Sequence, residues 1–306
     1  MSVQELFSLL RWKNLLMILA TQFLVKYLVL NNTIIAQLYC DNHHLSFICI
    51  SFATVIIAAA AYLFNNIVDI QSDRINQKNT AIHPFLNQPK KAMIAYYILN
   101  IMALMLAFYG CYRLETLYKL ALFPIAILLL YIYNKNFKST VLLGNSIVSM
   151  LTMISIIMVP YFEKDFYSFG QNIYYALIFM YGVFAFLVSM MREIIKDIED
   201  MEGDHQSGIT TLPTQLGILI SKKITISIGL ITLFLLLVFL HPFILSIPYN
   251  NYIIATQISL LSTGLFSIYK IVHAEEKEDF TQCSAFIKYW MIIGICSMCF
   301  IPNFIS

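Results

Sequence analysis

Two segments of this chain carry polar residues at helical spacing. In the first, NNIVDIQSDRIN, the residues Asn65, Asp69 and Asp73 lie four apart and follow directly on an apolar run. No Pro or Gly occurs between Leu45 and Asn76, so we expect one helix to continue from the apolar run into the polar residues. On an α-helix this spacing places the three side chains on one face over about 12 Å.

The second segment, REIIKDIEDMEGDHQSGITTLP, has the same character. Its acidic residues are spaced four, three and four apart, which predicts another helical stripe that ends where Gly203 loosens the turn. The two segments also suggest a weak internal duplication in which Asp69 corresponds to Asp197. The stripe consists of Glu193, Asp197, Asp200 and Asp204.

Acidic stripes of this kind need a compensating positive charge. Like charges at these spacings repel, and a carboxylate near a membrane is costly if it cannot reach water. Carboxylate and Asn oxygens are hard ligands suited to Mg²⁺, which completes its shell with water and substrate phosphate. Two facing stripes with Mg²⁺ between them would form a diphosphate clamp. The alternative interpretation is that both segments are solvated helix ends.

The composition shows which elements must position these residues. Hydrophobic residues make up 59% of the 306, charged residues only 12%, and the mean hydropathy is +0.75. These values indicate an integral membrane protein, because charged residues make up about 25% of soluble domains. We predict an all-α, polytopic protein with about nine transmembrane helices around a central cavity, at 14–31, 46–67, 92–111, 117–134, 141–160, 173–191, 220–241, 251–270 and 285–303.

The basic residues predict the orientation of these helices. With the N-terminus in the cytoplasm, most of the 19 Lys and Arg residues fall at or near the cytoplasmic side, and the exceptions are Lys26, Arg113, Lys119 and Lys164. Both acidic segments then face the cytoplasm. The first apolar run lacks the pattern of a removable signal peptide, so we expect it to remain as the first span. We interpret residues 1–306 as one membrane-embedded domain, in the inner membrane of a bacterial or archaeal cell.

At this point the motifs resemble those of a known family. Asn65-x3-Asp69-x3-Asp73 looks like the first aspartate motif of the UbiA-type intramembrane prenyltransferases, and Asp200-Met-Glu-Gly-Asp204 looks like the second. The resemblance covers nearly the whole chain and implies a UbiA-like fold. It further implies that Mg²⁺ and the diphosphate of a polyprenyl donor are bound by Asn65, Asp69, Asp73, Asp200 and Asp204, with Asp197 as an addition.

The family also carries a Tyr and a Lys on the loop after the fourth span. Here YIYNKNFKSTVLLGN offers Tyr131 with Lys135, or Tyr133 with Lys138. The distance from Lys138 to Gly144-Asn145 resembles the commoner family spacing, which favours Lys138. Arg74 and Arg192 flank the two motifs and would either contact the diphosphate or screen the aspartates.

Many relatives have Arg-Pro and a Gly in the loop after the first motif, where this chain reads NTAIHPFLNQPKK. The presence of His83 before Pro84 puts a phosphate contact from that loop in question. Lys90 and Lys91 are candidates to replace it.

The sequence of the second motif, KDIEDMEGD followed by GITTLP, most resembles the branch of the family that contains digeranylgeranylglyceryl phosphate synthases. The branch of chlorophyll synthases is the next most similar. We therefore expect Mg²⁺-dependent transfer of a polyprenyl group, such as geranylgeranyl, from its diphosphate to a lipid or aromatic acceptor, with a glycerol-phosphate ether lipid favoured. Prenylation of a quinone or chlorin precursor is the alternative acceptor chemistry. A secondary transporter is the rival class, but it predicts acids near mid-span and helices broken by Gly or Pro.

Overall fold

The computed structural model describes residues 9–30, 42–76, 88–162, 173–246 and 251–300, and every regular element in these ranges is helical. The predicted all-α class is confirmed. The α-helices are α1 (Trp12–Leu24, continued by wider π-helical turns over Val25–Leu30), α2 (Asn42–Val68), α3 (Ile70–Ile75), α4 (Pro89–Arg113), α5 (Leu122–Lys135), α6 (Leu143–Tyr161), α7 (Ile173–Glu199), α8 (Met201–Gln206), α9 (Leu212–Ser246), α10 (Asn251–His273) and α11 (Lys277–Ser297).

Eight helical stretches in the described ranges are long and apolar enough to cross a membrane. They correspond to eight of the nine predicted spans. The remaining predicted span, 251–270, corresponds to the 23-residue helix α10. The predicted count of nine is therefore approximate, whereas the polytopic architecture is confirmed.

The helices pack as two groups. In one group α2, α4, α5 and α6 meet around a buried apolar cluster, and in the other α7, α9, α10 and α11 meet around a second cluster. Helix α1 contacts α2, α6 and α11 and so bridges the groups. Buried members include Ala53, Ala107, Phe123 and Met158 in the first cluster, and Met191, Ile195, Ile271 and Trp290 in the second.

The outer faces of these helices are apolar as well. Large hydrophobic side chains lie exposed along α4, α9 and α10, which is the pattern of helices surrounded by lipid rather than by water. Examples are Ile101, Met105, Leu230, Phe234, Ile258 and Leu265.

Both acidic segments interrupt their helices at an aspartate. Helix α2 ends at Val68, Asp69 has φ −86° and ψ 0°, and the six-residue α3 follows; α7 ends at Glu199, Asp200 has φ −95° and ψ 0°, and the six-residue α8 follows. The expectation of one straight helix through the first motif is therefore wrong in detail. The backbone hydrogen bonds from Asp69 N to Asn65 O (2.9 Å) and from Asp73 N to Asp69 O (2.8 Å) keep the side chains at helical spacing.

This shared pattern shows which residues of the two acidic segments correspond to each other. Helices α2 and α7 have 27 residues each, and each is followed by one interrupting Asp and six helical residues. Asp69 therefore corresponds to Asp200, and Asp73 corresponds to Asp204. The predicted correspondence between Asp69 and Asp197 is wrong, because it compared residue spacing without the break in each helix.

The short helices α3 and α8 pack directly against each other. Asn76 Nδ2 donates to the Asp200 carbonyl (3.2 Å), and Gly203 N donates to Asn76 Oδ1 (3.2 Å). A Cβ atom on Gly203 would lie 2.7 Å from both Asn76 Cγ and Ser72 O, closer than such atoms approach in proteins. Only glycine at position 203 therefore permits this contact.

We predict that Gly203→Ala separates α3 from α8, since overpacking of this kind costs about 1–3 kcal/mol. Hydrogen–deuterium exchange should become faster at residues 70–76 and 200–206. Gly294→Ala is the matched control, because a Cβ there would meet nothing within 4 Å. Unchanged exchange in Gly203→Ala would contradict the described contact.

Candidate active site

Asp69 is the centre of the first motif. Its side chain is buried, and one carboxylate oxygen, Oδ2, accepts a hydrogen bond from Asn65 Nδ2 and forms an ion pair with Lys138 Nζ. The other oxygen, Oδ1, is buried and has no hydrogen-bond partner among the described residues. A buried charged oxygen without a partner is unfavourable, so this atom is suited to an additional cation.

A short loop brings Lys138 to Asp69. The loop contains a single 3₁₀ turn, Phe137–Ser139, and packs on Gly144, where a Cβ would lie 2.8 Å from Phe137 O. Ser139 and Thr210 then tie the loop to the segment after α8: Thr210 N donates to Ser139 Oγ (2.9 Å), and Thr210 Oγ1 donates to Ser139 O (2.7 Å). The position of Lys138 therefore depends on both motif regions.

Lys135, the alternative considered from the sequence, lies elsewhere. It is exposed, and its Nζ is 5.8 Å from the centre of the Tyr131 ring. Tyr133, the tyrosine considered together with Lys138, lines an apolar cavity beneath the loop.

Asp204 is the most constrained acid of the second motif. It is buried, and Ser72 Oγ from the first motif donates to its Oδ1 (2.9 Å). Burial raises the pKa of the Asp204 carboxyl to about 6, whereas Lys138 and the Ser72 hydrogen bond lower it and Asp200 and Asp69 raise it further. A divalent cation at this position would favour the charged carboxylate.

The other acidic residues occupy different environments. Asp73 is buried on α3, and Asp200 contributes its backbone carbonyl to the contact with Asn76. Asp197 Oδ2 accepts a hydrogen bond from Asn145 Nδ2 (2.7 Å), so this oxygen already has a neutral partner. Glu193 forms ion pairs with Lys196 (2.7 Å) and Arg192 (3.4 Å).

These carboxylates fit Mg²⁺ better than a metal enclosed by protein ligands. Within the described ranges, no three His, Cys, Asp or Glu side chains converge closely enough to hold a metal ion by themselves. Mg²⁺ does not require such a cage, because it commonly binds one or two carboxylates and keeps water or phosphate oxygens as its other ligands. Asp69 Oδ1 and the oxygens of Asp204 provide donors of the right type on adjoining segments.

The basic residues that the sequence suggested for contacts with phosphate lie in different places. Arg74 is exposed on α3, and Lys90 and Lys91 are exposed at the start of α4. Arg192 lies deeper, where it lines two cavities. His83 and its loop lie outside the described residues.

Two apolar cavities lie among the helices, and one of them reaches the first motif. One, of about 170 Å³, lies among α2, α5 and α6, with Asn65 and Tyr133 in its lining. The other, of about 230 Å³, lies among α1, α6, α7, α9 and α11. Their linings share eight residues, of which only Ile18 and Val148 are apolar. The two cavities therefore meet at a mainly polar junction that includes Asn14, Arg192 and Glu193.

Sequence reasoning missed the uncharged residues that connect the parts of the site. Ser72, Asn76, Asn145 and Thr210 have no charge, and their partners lie far away in the chain. Asn76 offered one usable signal, because it continues the stripe of Asn65, Asp69 and Asp73 by a further three residues.

Comparisons with known proteins agree with this architecture. A digeranylgeranylglyceryl phosphate synthase from Methanosphaera stadtmanae is 29% identical over 269 residues, which cover 88% of this chain and 91% of that protein. The corresponding synthase from Saccharolobus solfataricus is 29% identical over 243 residues, which cover 78% of this chain and 79% of that protein.

Solved structures extend the comparison to the fold. A structure described for digeranylgeranylglyceryl phosphate synthase in membranes matches with a TM-score of 0.64 at 25% identity and covers 97% of both chains. A UbiA homologue from Archaeoglobus fulgidus bound to GPP and Mg²⁺ matches with a TM-score of 0.58 at 13% identity and covers 96% of this chain and 99% of that chain, which shows the shared fold.

The sequence pattern of the UbiA prenyltransferase family matches residues 32–292. The chain therefore belongs to the UbiA prenyltransferase family and is an integral, multi-pass membrane protein.

Proposed function

We propose that this protein transfers a geranylgeranyl group from geranylgeranyl diphosphate to geranylgeranylglyceryl phosphate, in a reaction that depends on Mg²⁺. The observation that carries the proposal is the direct contact between the two aspartate segments, beside Lys138 and next to apolar cavities. The names of the relatives from Methanosphaera stadtmanae and Saccharolobus solfataricus support the choice of acceptor.

The two aspartate segments would hold the donor diphosphate. We assign Asp69, Asp73, Asp200 and Asp204 as Mg²⁺ ligands, directly or through water. Asn65 and Tyr133 line the adjoining cavity and would position the diphosphate. Asp197 is hydrogen-bonded to Asn145 and would act from a greater distance.

Lys138 would neutralise part of the charge that develops on the leaving diphosphate. Its ammonium group is paired with Asp69 Oδ2. Lysine can exchange this partner for a phosphate oxygen because its side chain is long and flexible. The hydrogen bonds between Ser139 and Thr210 keep the loop close enough for that exchange.

The reaction breaks the bond between C1 of the allylic chain and the diphosphate oxygen, and the electron pair leaves with the diphosphate. Bound Mg²⁺ would supply electrostatic stabilisation of that leaving group. The acceptor hydroxyl oxygen forms an ether bond to C1, and the hydroxyl proton is released to solvent. The apolar cavity lining excludes water, which would otherwise capture the allylic carbon.

An apolar chain of twenty carbons also explains the location in a membrane. Each buried CH₂ group contributes about 0.8 kcal/mol, so such a chain is retained among the helices rather than in water. We infer that residues 1–306 act as a single domain with the N-terminus and both motifs at the cytoplasmic face of a bacterial or archaeal cell membrane. The concentration of Lys and Arg at that end of the helices supports this orientation.

A topology experiment tests the orientation. A cysteine introduced at exposed Lys135 should react with a membrane-impermeant maleimide only after the cells are opened, whereas one introduced at Glu115, at the opposite ends of α4 and α5, should react in intact cells. Both variants require a background without the native cysteines. The reverse labelling pattern would contradict a cytoplasmic site.

A direct assay tests the activity. Purified protein with Mg²⁺ and geranylgeranyl diphosphate should prenylate geranylgeranylglyceryl phosphate in preference to dihydroxynaphthoate or a chlorin acceptor, and chelation of Mg²⁺ should abolish turnover. Asp73→Asn should lower kcat by at least about 100-fold, as expected when electrostatic stabilisation of a leaving group is lost.

Glu202→Gln is the matched control for that variant, since Glu202 lies in the second motif but is exposed to solvent. It should retain near wild-type turnover. An equal loss in both variants, turnover without Mg²⁺, or preference for one of the aromatic acceptors would overturn the proposed function.

A further inference from the structure

Positively charged side chains collect where the two apolar cavities meet. The described residues that line the cavities include four cations and one acid, Glu193. An excess of positive charge among membrane helices is unfavourable unless an anion balances it. The four cations are Arg11, Arg192, Lys196 and Lys288.

Glu193 cannot balance this group alone. Lys196 Nζ lies 2.7 Å from Glu193 Oε1, and Arg192 Nη1 lies 3.4 Å from the same oxygen. Arg192 Nε is buried and has no hydrogen-bond partner within the described part of the chain. A guanidinium group presents a fork of donors that matches the oxygens of a phosphate, so the unused donor indicates an anionic ligand.

Neutral residues hold the other two cations towards the same junction. Lys288 Nζ donates to Asn14 Oδ1 (2.7 Å), and Asn14 Nδ2 donates to the Tyr62 hydroxyl (3.4 Å). The guanidinium carbon of Arg11 lies 5.2 Å from the centre of the Tyr62 ring. Arg11 has φ 53° and ψ 48°, a conformation that non-glycine residues rarely adopt and that is retained mainly where the surroundings enforce it.

The cationic group is separate from the aspartate motifs. The described lining of the two cavities contains Asn65 but none of the four motif aspartates. Lys288 is about 16 Å along α11 from the start of that helix at Lys277, and Arg192 is about 10 Å before the end of α7 at Glu199. Lys288 and Arg192 therefore lie deeper among the helices than the motifs, which follow the ends of α2 and α7, whereas Arg11 directly precedes α1 and Lys196 lies about one turn before the end of α7.

We propose that Arg11, Arg192, Lys196 and Lys288 bind the phosphate of the acceptor lipid. This inference rests on the proposed function, because it assumes a phosphorylated acceptor. The donor diphosphate would be neutralised by metal ions and Lys138, and metal ions require the nearby carboxylates. A phosphate monoester bound without metal instead requires cationic donors with few competing acids, which is the composition of this junction.

Binding of the acceptor at this position accounts for the shape of the site. Both apolar cavities open onto the junction, so an acceptor phosphate held there leaves room for two hydrocarbon chains. The cations would thereby select phosphorylated glycerol ethers over neutral ones and fix the distance between the acceptor hydroxyl and the donor.

Separate kinetic constants for donor and acceptor test the assignment. Lys288→Gln and Arg192→Gln should each raise the KM for geranylgeranylglyceryl phosphate by about 10- to 100-fold, as expected when a hydrogen bond to a charged group is lost. The KM for geranylgeranyl diphosphate should remain within about twofold of the wild type. Lys288→Arg should restore most of the acceptor affinity, and Lys223→Gln, at an exposed lysine on α9, is the control for loss of one charge.

Acceptor binding in the absence of donor separates this inference from the proposed reaction. Wild-type protein should bind geranylgeranylglyceryl phosphate at least about tenfold more tightly than the dephosphorylated lipid, and Lys288→Gln should lose that preference. Tight, phosphate-dependent binding without any transfer would refute the proposed reaction but support the phosphate site. Equal binding of both lipids by the wild type, or an equal rise of donor and acceptor KM in the variants, would overturn the assignment.

Discussion

The contact between α3 and α8 is the constraint on which the site depends. It brings two acidic segments together although their charges repel, and neutral hydrogen bonds make this possible: Asn76 joins the Asp200 carbonyl to the Gly203 amide, and Ser72 donates to Asp204. Neutral donors of this kind hold the two segments in register. Asp69 Oδ1 is not used by these bonds and is suited to a cationic ligand.

The membrane helices determine where this contact forms. Helices α2 and α7, with 27 residues each, are anchored in different apolar clusters, and each is interrupted by an aspartate before a short polar helix. The bundle thus places the short helices at one end, while its apolar cavities extend inward from the same region. The proposed Mg²⁺ site at the end of the helices and the proposed chain binding between them would both follow from this arrangement.

Much of this arrangement could be predicted from the sequence, because charge is conspicuous in an apolar chain. The motif aspartates and the helical spans rest on spacing and composition that can be read from the sequence. The preference for Lys138 over Lys135 rests on the resemblance to the family's spacing. The contacts of Asn76 and Thr210 were not predictable, since uncharged residues give no signal of partners so distant in the chain. The break at Asp69 was missed because no Pro or Gly marks it. The break in the second segment was predicted at Gly203, but it lies three residues earlier, at Asp200, and Gly203 is inside α8.

The central claim is that the two motifs form one diphosphate site, and a double-mutant cycle on donor binding tests it most directly. Calorimetry with Mg²⁺ and a non-cleavable thio analogue of geranylgeranyl diphosphate would compare wild type, Asp69→Asn, Asp204→Asn and the double variant. If both carboxylates act on one ligand, each single change weakens binding strongly, and the double change is less costly than their sum by more than about 0.5 kcal/mol. Strictly additive losses, or donor binding unaffected by either change, would contradict a shared site.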